Sequence, residues 1–264
     1  KDIPALTFAG LRYSLAFLCL LPFVLNPARL TSLRGLSGQE WTRLIILGLL
    51  FYPLTQGAQY LGLAYLPTAT VNLLLNFTTV IVVLLGIFLL AERPTVLQWG
   101  GVGLFLIGIM IYFYPVLLPA SQTFGLIVVL VGVLANAGSS ILGRHINRDG
   151  NISPLTVTVV SMGVGTIVLM GTGILTQGLP PRLSPINWAI LIWLAVVNTA
   201  FAFTLWNHTL RTLSAMESSI INNTMLVQIA ILAWLFLGER LTWQEVVWMA
   251  LAGLGALIVP LRRS

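Results

Sequence analysis

Nine runs of about 20 mostly apolar residues, separated by short polar breaks, dominate the sequence. We number them spans one to nine: Pro4–Leu25, Thr42–Ala64, Thr68–Leu90, Thr95–Leu117, Thr123–Gly143, Ser153–Leu175, Ile186–His208, Ser214–Leu237 and Leu241–Pro260. A helix of this length crosses the hydrocarbon core of a bilayer and satisfies its own backbone hydrogen bonds there. We therefore predict an all-α fold, a polytopic transmembrane helix bundle with loops too short for a soluble domain.

The charge content supports a bilayer as the solvent. Charged residues make up 8% of the chain and hydrophobic residues 58%, whereas a soluble domain carries about 25% charged residues. The formal net charge of +6 is compatible with an anionic partner such as nucleic acid. However, the basic residues fall in the breaks between spans and form no stripe, so we expect no nucleic-acid partner.

The distribution of basic residues over the loops predicts the orientation. One side carries nine of them: Arg29, Arg34, Arg43, Arg93, Arg144, Arg148, Arg211, Arg262 and Arg263. The other side carries Lys1, Arg182 and Arg240. Because cytoplasmic loops are enriched in Lys and Arg, we expect an integral protein of a bacterial-type cytoplasmic (inner) membrane with its C-terminus in the cytoplasm. Residue 1 would then lie outside, so we expect a further helix ahead of span one.

An internal repeat points to the same missing helix. A shift of 147 residues aligns Asn76 with Asn223 and Glu92-Arg93 with Glu239-Arg240. Spans two to four then match spans seven to nine, span one resembles span six, and span five has no partner. Five spans separate each matched pair, an odd number, so the copies have opposite orientations in the membrane. Inverted repeats are typical of secondary transporters.

Particular motifs carry a resemblance to a known family. They are Pro4 with Leu11-Arg12-Tyr13, the run Gly238-Glu239-Arg240-Leu241-Thr242, and its counterpart Ala91-Glu92-Arg93-Pro94-Thr95. With them the sequence resembles the EamA-type permeases of the drug/metabolite transporter (DMT) superfamily. The resemblance implies ten helices in a 5+5 inverted repeat, of which nine are visible here and the first helix is missing. It also implies two repeats, residues 1–118 and 119–264, and the export of amino acids, other metabolites or drugs.

The sequence departs from that family pattern at one feature of each copy. A proline usually found about thirteen residues before the glutamate is replaced by Thr79 and Leu226. Whether spans three and eight are kinked therefore stays open.

Polar side chains inside the spans are the candidate site, because they are costly in lipid and normally face a cavity or the bundle interior. The candidate substrate-binding residues are Arg12, Tyr13, Gln56, Gln59, Tyr60, Asn72, Asn76, Asn136, Ser140, Trp206, Asn207, His208, Asn222 and Asn223. Spacings of three and four place Gln56 on one helix face with Gln59 and Tyr60. The alternative role is interhelical hydrogen bonding, worth about 1 kcal/mol each.

Arg12 is the charge that lies deepest in a span, roughly 12 Å along the helix axis from Pro4. Its side chain either extends to the outer interface or lines a cavity and binds an anionic group such as a carboxylate. Glu217 and His208 are the candidates for proton coupling. Both lie near the ends of spans, so facilitated diffusion and exchange stay open.

These features predict a secondary transporter that exports small polar metabolites, amino acids or similar molecules, by alternating access. The alternatives are an exporter of drugs or other organic compounds, an intramembrane enzyme, or a channel. We expect no catalytic residue, cofactor or metal, since no hydrolase or metal motif is present and Cys19 is the single cysteine. The expected partners are a small-molecule substrate and membrane lipid, with the protein a monomer or homodimer.

Overall fold

A computed structural model describes residues 3–92, 94–112, 123–180 and 182–223, with single helical residues between 228 and 254. Over these ranges the backbone is helical with short connections and contains no strand. Six stretches of the described chain are long and apolar enough to cross a membrane: Ala5–Val24, Gly38–Tyr65, Thr70–Leu90, Thr123–Asp149, Pro154–Gln177 and Pro185–Thr209. The predicted all-α transmembrane bundle is confirmed.

The described helices are numbered in chain order. They are α1 (Ala5–Val24), α2 (Pro27–Arg34), α3 (Gly38–Leu49), α4 (Gly57–Tyr65), α5 (Thr68–Asn76), α6 (Thr78–Leu90), α7 (Val96–Tyr112), α8 (Thr123–Asp149), α9 (Pro154–Gln177), α10 (Pro185–Ala195), α11 (Ala202–Thr209) and α12 (Ala215–Asn223). Two π-helical segments join consecutive helices. We call Leu50–Gln56 the first π segment, between α3 and α4, and Val196–Phe201 the second π segment, between α10 and α11.

The helices match the predicted spans closely at their starts. Span two is the continuous series from α3 to α4, span three is α5 with α6, and span seven is the series from α10 to α11. Span eight begins with α12, and most of the rest of spans eight and nine lies outside the described residues. The sequence missed α2, an exposed short helix in the first loop. It also ended span five at Gly143, whereas α8 continues to Asp149.

Span three is broken without a proline. Helix α5 ends at Asn76, α6 begins at Thr78, and the amide of Phe77 between them donates to the Leu74 carbonyl at 3.1 Å. This bond from residue i to i−3 tightens the helix locally and interrupts the α-helical series. Span three therefore has a local irregularity at Phe77, while Leu226 of span eight lies outside the described residues.

Helix α9 packs at very short range against α1 and α3 through glycines. A Cβ on Gly10 of α1 would lie 2.8 Å from the Met170 backbone, and one on Gly173 would lie 2.9 Å from the Thr7 amide nitrogen. A Cβ on Gly165 would lie 2.6 Å from the Gly48 carbonyl oxygen. Small residues let membrane helices approach closely without a hydrophobic driving force. These contacts hold spans one, two and six together.

Arginine side chains form hydrogen bonds that connect the basic loops at one end of the bundle. Four of them donate to carbonyls at or near helix ends: Arg29 to Phe23 (2.9 Å), Arg144 to Leu210 (2.5 Å), Arg148 to Leu90 (3.4 Å) and Arg211 to Ile152 (2.9 Å). Guanidinium donors satisfy carbonyls that a helix end leaves without a partner. At the opposite end the Leu6 amide donates to Gln177 and the Thr7 hydroxyl to the Gly178 carbonyl. The basic loops named here thus lie at one end of the bundle, and the orientation in the membrane stays a prediction.

Candidate functional site

A cavity lies between span two on one side and spans five, six and seven on the other. The lining residues are Leu47, Phe51, Tyr52, Ser139, Ser140, Gly143, Ser161, Phe203, Trp206, Asn207 and Leu210. It has about 410 Å³ of empty space, which includes space open to solvent. Because Leu210 lines it and binds Arg144 through its carbonyl, the cavity reaches the end that carries the basic loops.

Aromatic rings form one wall of this cavity. Phe51 and Tyr52 of the first π segment contact each other edge to face at 5.1 Å, and Phe51 contacts Phe203 of α11 at 5.3 Å between ring centroids. Tyr13 of α1 lies behind them, 5.1 Å from Tyr52 and 6.0 Å from Phe203. We call these four rings the aromatic cluster. It closes the cavity toward the opposite end of the bundle.

The polar part of the lining is uncharged. Ser139 and Ser140 come from α8 and Ser161 from α9; Ser139 donates to the Asn136 carbonyl at 2.9 Å and Ser161 to the Val157 carbonyl at 2.6 Å. Hydroxyls bonded in this way still present an oxygen lone pair. None of the described lining residues carries a charge. The lining therefore suits polar, uncharged parts of a ligand beside an apolar or aromatic part.

Asn207 lies at the cavity and also connects three helices. Its amide nitrogen donates to the Thr158 hydroxyl at 3.0 Å and to the Phe203 carbonyl at 3.1 Å. Its oxygen accepts from the fully buried Asn147 at 2.8 Å. These bonds satisfy both donor hydrogens of the amide and join α8, α9 and α11. The contacts favour the interhelical role that the sequence left as the alternative for this residue.

Arg12 lies beyond the aromatic cluster, between the two halves of the chain. Its Nε donates to the Thr199 hydroxyl at 2.8 Å, one terminal nitrogen donates to the Tyr60 hydroxyl at 3.0 Å, and the other donates to the Asn198 carbonyl at 3.4 Å. The guanidinium carbon is 5.7 Å from the Tyr13 ring centroid. Its contacts are thus on α4 and the second π segment.

The two π segments occupy corresponding places in spans two and seven, which the repeat pairs. In each, a threonine hydroxyl donates to the carbonyl five residues earlier: Thr55 to Leu50 at 2.9 Å and Thr199 to Leu194 at 3.0 Å. Such wider turns inside α-helices are frequently found at functional sites. Here the first supplies Phe51 and Tyr52 to the cavity, and the second supplies both contacts of Arg12 on span seven.

A carboxylate from the first half holds the start of α12 in the second half. Both oxygens of Glu92 accept from the Ala215 amide, at 3.0 and 3.2 Å, and Glu92 forms an ion pair with Arg144 at 3.7 Å. Backbone N–H groups at a helix start carry partial positive charge and lack intrahelical partners. We call this arrangement the Glu92 cap. It ties spans three, five and eight together at the basic end.

The structure brings together six of the candidate residues in two neighbouring places. Ser140, Trp206 and Asn207 line the cavity, while Arg12 contacts Tyr60 and lies beside Tyr13 of the aromatic cluster. Asn136 lies one turn before Ser140 on α8 and contributes its carbonyl to Ser139.

The other candidates do not line this cavity. Gln56 and Gln59 are half-buried beside Tyr60, and His208 and Asn222 are exposed. Asn76 is buried and its amide donates to the Asn72 carbonyl at 2.7 Å, whereas its own Oδ1 has no hydrogen-bond partner among the described residues. The side chain of Asn223 lies outside the described part, so the symmetric Asn76/Asn223 site stays a prediction.

Glu217, a proton-coupling candidate, forms a capping box at the start of α12. Its carboxylate accepts from the Ser214 amide at 2.8 Å, and its own amide donates to the Ser214 hydroxyl at 3.1 Å. This reciprocal pair is a standard helix-start arrangement. A structural role therefore accounts for its position, and its part in coupling stays a prediction.

Sequence reasoning missed Phe51, Tyr52, Ser161 and Phe203. Aromatic residues inside an apolar span give no signal of their own, because they fit lipid and protein interior equally well. The doublet of Phe51 and Tyr52 next to Pro53 was the available clue, since a proline frees a carbonyl in the preceding turn and favours a local change of helix type. No group of three or more His, Cys, Asp or Glu that could hold a metal ion occurs in the described ranges.

A bundle of apolar helices long enough to cross a membrane defines a polytopic membrane protein. The chain belongs to the EamA-like transporter family, whose model matches residues 1–114 and 123–261. It is accordingly a transporter of the drug/metabolite transporter superfamily. Two separate stretches match one family model, and these stretches lie on either side of the predicted boundary.

Individual relatives agree with this assignment. An uncharacterized transporter of Archaeoglobus fulgidus is 26% identical over 214 residues, covering 78% of this chain and 73% of the relative. The protein PecM of Dickeya dadantii is 25% identical over 218 residues (80% and 70%), and the uncharacterized transporter YyaM of Bacillus subtilis 22% over 184 residues (65% and 59%). A protein of known crystal structure matches 99% of this chain and 90% of its own with a TM-score of 0.80 at 16% identity, which supports the fold.

Proposed function

We propose that this protein is a secondary transporter that exports small polar metabolites, amino acids or similar molecules, across the cytoplasmic membrane by alternating access. The observation that carries the proposal is the cavity between span two and spans five to seven. In inverted-repeat carriers, substrate sites lie at the interface of the repeats. A cavity lined from both halves is the place where such a site is expected.

The lining supports a small ligand with both polar and apolar parts. Serine side chains of α8 and α9 line the cavity together with the aromatic wall of Phe51, Tyr52 and Phe203. Aromatic faces bind apolar groups and also attract cations such as an ammonium group. The export of drugs or other organic compounds is the second candidate, and the aromatic share of the lining supports it.

Movement of the two halves is supported by the π segments. Spans two and seven each change helix type next to the cavity, and helix irregularities are places where a helix bends. Transporters also place interrupted helices at their sites. Relatives that are named transporters favour a carrier over an enzyme, and a cavity that the aromatic cluster closes at one end favours a carrier over a channel.

A blocked cavity tests the proposal. The variant Ser140→Phe introduces a ring into the cavity, while Ile167→Phe adds the same kind of ring on α9 at a side chain that is 74% exposed. Both are purified in detergent, checked for a single size-exclusion peak and reconstituted into proteoliposomes with a panel of radiolabelled amino acids and organic compounds. We expect transport by the wild type and Ile167→Phe and none by Ser140→Phe. Equal transport by both variants would contradict the proposed route.

The same proteoliposomes test the coupling. Uptake is measured with and without a pH gradient, for the wild type, Glu217→Gln and His208→Gln. Stimulation by the gradient that either variant loses would support proton coupling through that residue. No effect of the gradient on the wild type would exclude proton coupling and leave exchange or facilitated diffusion.

A further inference from the structure

We propose that the Arg12 guanidinium is a carboxylate-binding site on the transport route, so that the substrate is a small organic acid or a zwitterion with a free carboxylate. This rests on the proposed function and names the chemical group that the substrate presents. The site comprises Arg12 of α1, Tyr60 of α4 and Thr199 of the second π segment.

The first argument is where the charge lies. Arg12 is six residues along α1 from Leu6, about 9 Å along the axis, and Leu6 already contacts Gln177 at the end of the bundle. Its guanidinium points across to spans two and seven, where it donates to Tyr60 and Thr199. The alternative of extension to the outer interface is therefore disfavoured. A charge kept at this depth is costly, and such charges commonly mark the pathway of a substrate or ion.

The second argument is the absence of an acidic partner. The three described acceptors of Arg12 are two hydroxyls and one backbone carbonyl, all neutral. The ion pairs in the described ranges involve Arg43, His145 and Arg144. Neutral acceptors give the half-buried guanidinium of Arg12 hydrogen bonds but no opposite charge. The free-energy cost of taking its charge out of water is offset best by a nearby opposite charge.

The third argument is the number of donors that remain. A guanidinium has five N–H groups, and three of them donate to Thr199, Tyr60 and the Asn198 carbonyl. One N–H on each terminal nitrogen has no acceptor in the described part of the chain. A carboxylate takes two such bonds, and the Tyr60 hydroxyl, which accepts from Arg12, keeps its own proton to donate.

The Arg12 guanidinium lies close to the cavity, and we therefore place it on the substrate route through the protein. The Tyr13 ring lies next to both the Arg12 guanidinium and Phe203 of the cavity wall. One layer of aromatic side chains therefore separates the cavity from Arg12. Because Arg12 bridges span two of the first half and span seven of the second, a carboxylate that competes for its donors would loosen contacts between the halves.

Matched ligand pairs test the carboxylate requirement. The probes are alanine with alaninamide, leucine with leucinamide, phenylalanine with phenylalaninamide, and lactate with lactamide, each titrated against purified protein while thermal unfolding is followed. We expect at least one acid to stabilise the wild type with an apparent affinity at least about tenfold above that of its amide. No preference for any acid would overturn the proposal. Equal stabilisation by inorganic phosphate would show a general anion site and overturn it as well.

Variants assign the effect to Arg12. Arg12→Gln should abolish the preference for the acid and Arg12→Lys should retain part of it, because a lysine keeps the charge without the planar fork. Tyr60→Phe should reduce the preference, and Arg34→Gln, at an exposed arginine of α2, should leave it unchanged. An unaltered preference in Arg12→Gln would overturn the proposal even if transport is shown. Binding that depends on Arg12 would uphold it even if the proteoliposome experiment fails.

Discussion

The Glu92 cap allows a quantitative test of how the two halves are held together. Glu92→Ala removes the acceptor of the Ala215 amide and removes the ion pair between Glu92 and Arg144. The two side chains are 14% and 11% exposed, so solvent screens the pair weakly. Glu92→Gln keeps an oxygen for the Ala215 amide and removes only the charge.

The expected cost follows from these contacts. Loss of a helix-start acceptor costs about 1 kcal/mol, and removal of one partner of a buried ion pair costs about 3 kcal/mol at the lower end of the known range. The capping box of Ser214 and Glu217 still supports α12, so we expect about 3 kcal/mol for Glu92→Ala and about half of that for Glu92→Gln. The double variant Glu92→Ala/Arg144→Met should lose less than Glu92→Ala alone, because it also removes the cation that faced the lost carboxylate.

Unfolding by SDS in mixed micelles measures these differences as changes in the free energy of unfolding. The matched control is Glu40→Ala, which removes the carboxylate of the exposed capping box at the start of α3 and should cost no more than about 1 kcal/mol. Equal losses for Glu92→Ala and Glu40→Ala would refute the assignment of a buried cap. A double variant less stable than Glu92→Ala would refute the ion pair.

Three further predictions use the same unfolding assay. Gly165→Ala places a methyl group 2.6 Å from a backbone oxygen of α3 and should lower the free energy of unfolding by about 1–3 kcal/mol. The control Gly171→Ala, where no atom lies within 4 Å, should not destabilise the protein. Equal effects of the two variants would contradict the close packing. Asn207→Leu removes both bonds of its amide nitrogen and should cost about 1–3 kcal/mol, and no loss would show that its network is not structural. Arg43→Gln breaks an exposed ion pair with Asp149 at 3.7 Å and should cost less than about 1 kcal/mol, a loss that high salt removes.

The membrane spans could be predicted because the bilayer fixes the length of an apolar helix. Span one was predicted at Pro4–Leu25 and is Ala5–Val24. The predicted end of span five at Gly143 was wrong, since α8 continues to Asp149. The charged and polar residues after Gly143 were taken to mark the end of the helix. Arg144 and Asn147 instead continue α8, since both form hydrogen bonds to other helices.

The residues of the candidate site could be predicted only where a polar side chain lies inside a span, because placing such a side chain in lipid costs free energy. Arg12, Tyr60 and Ser140 were found on that ground. The π segments depend on threonine hydroxyls that bond to a carbonyl five residues back, and threonines such as Thr172 make ordinary bonds four residues back in regular helix. The aromatic wall depends on which spans face each other, which is a property of the packed bundle and not of any one span.

The arginines at the basic end are relevant to two stages, membrane insertion and the folded structure. The positive-inside rule predicts that their charge sets which loops stay in the cytoplasm during insertion. In the folded protein Arg148 and Arg211 donate to the carbonyls of Leu90 and Ile152. Removal of such an arginine changes the insertion signal and the finished structure together. Lysine keeps the charge but loses the planar set of donors. Arginine-to-lysine variants can therefore separate errors of membrane orientation from errors of folding in this protein.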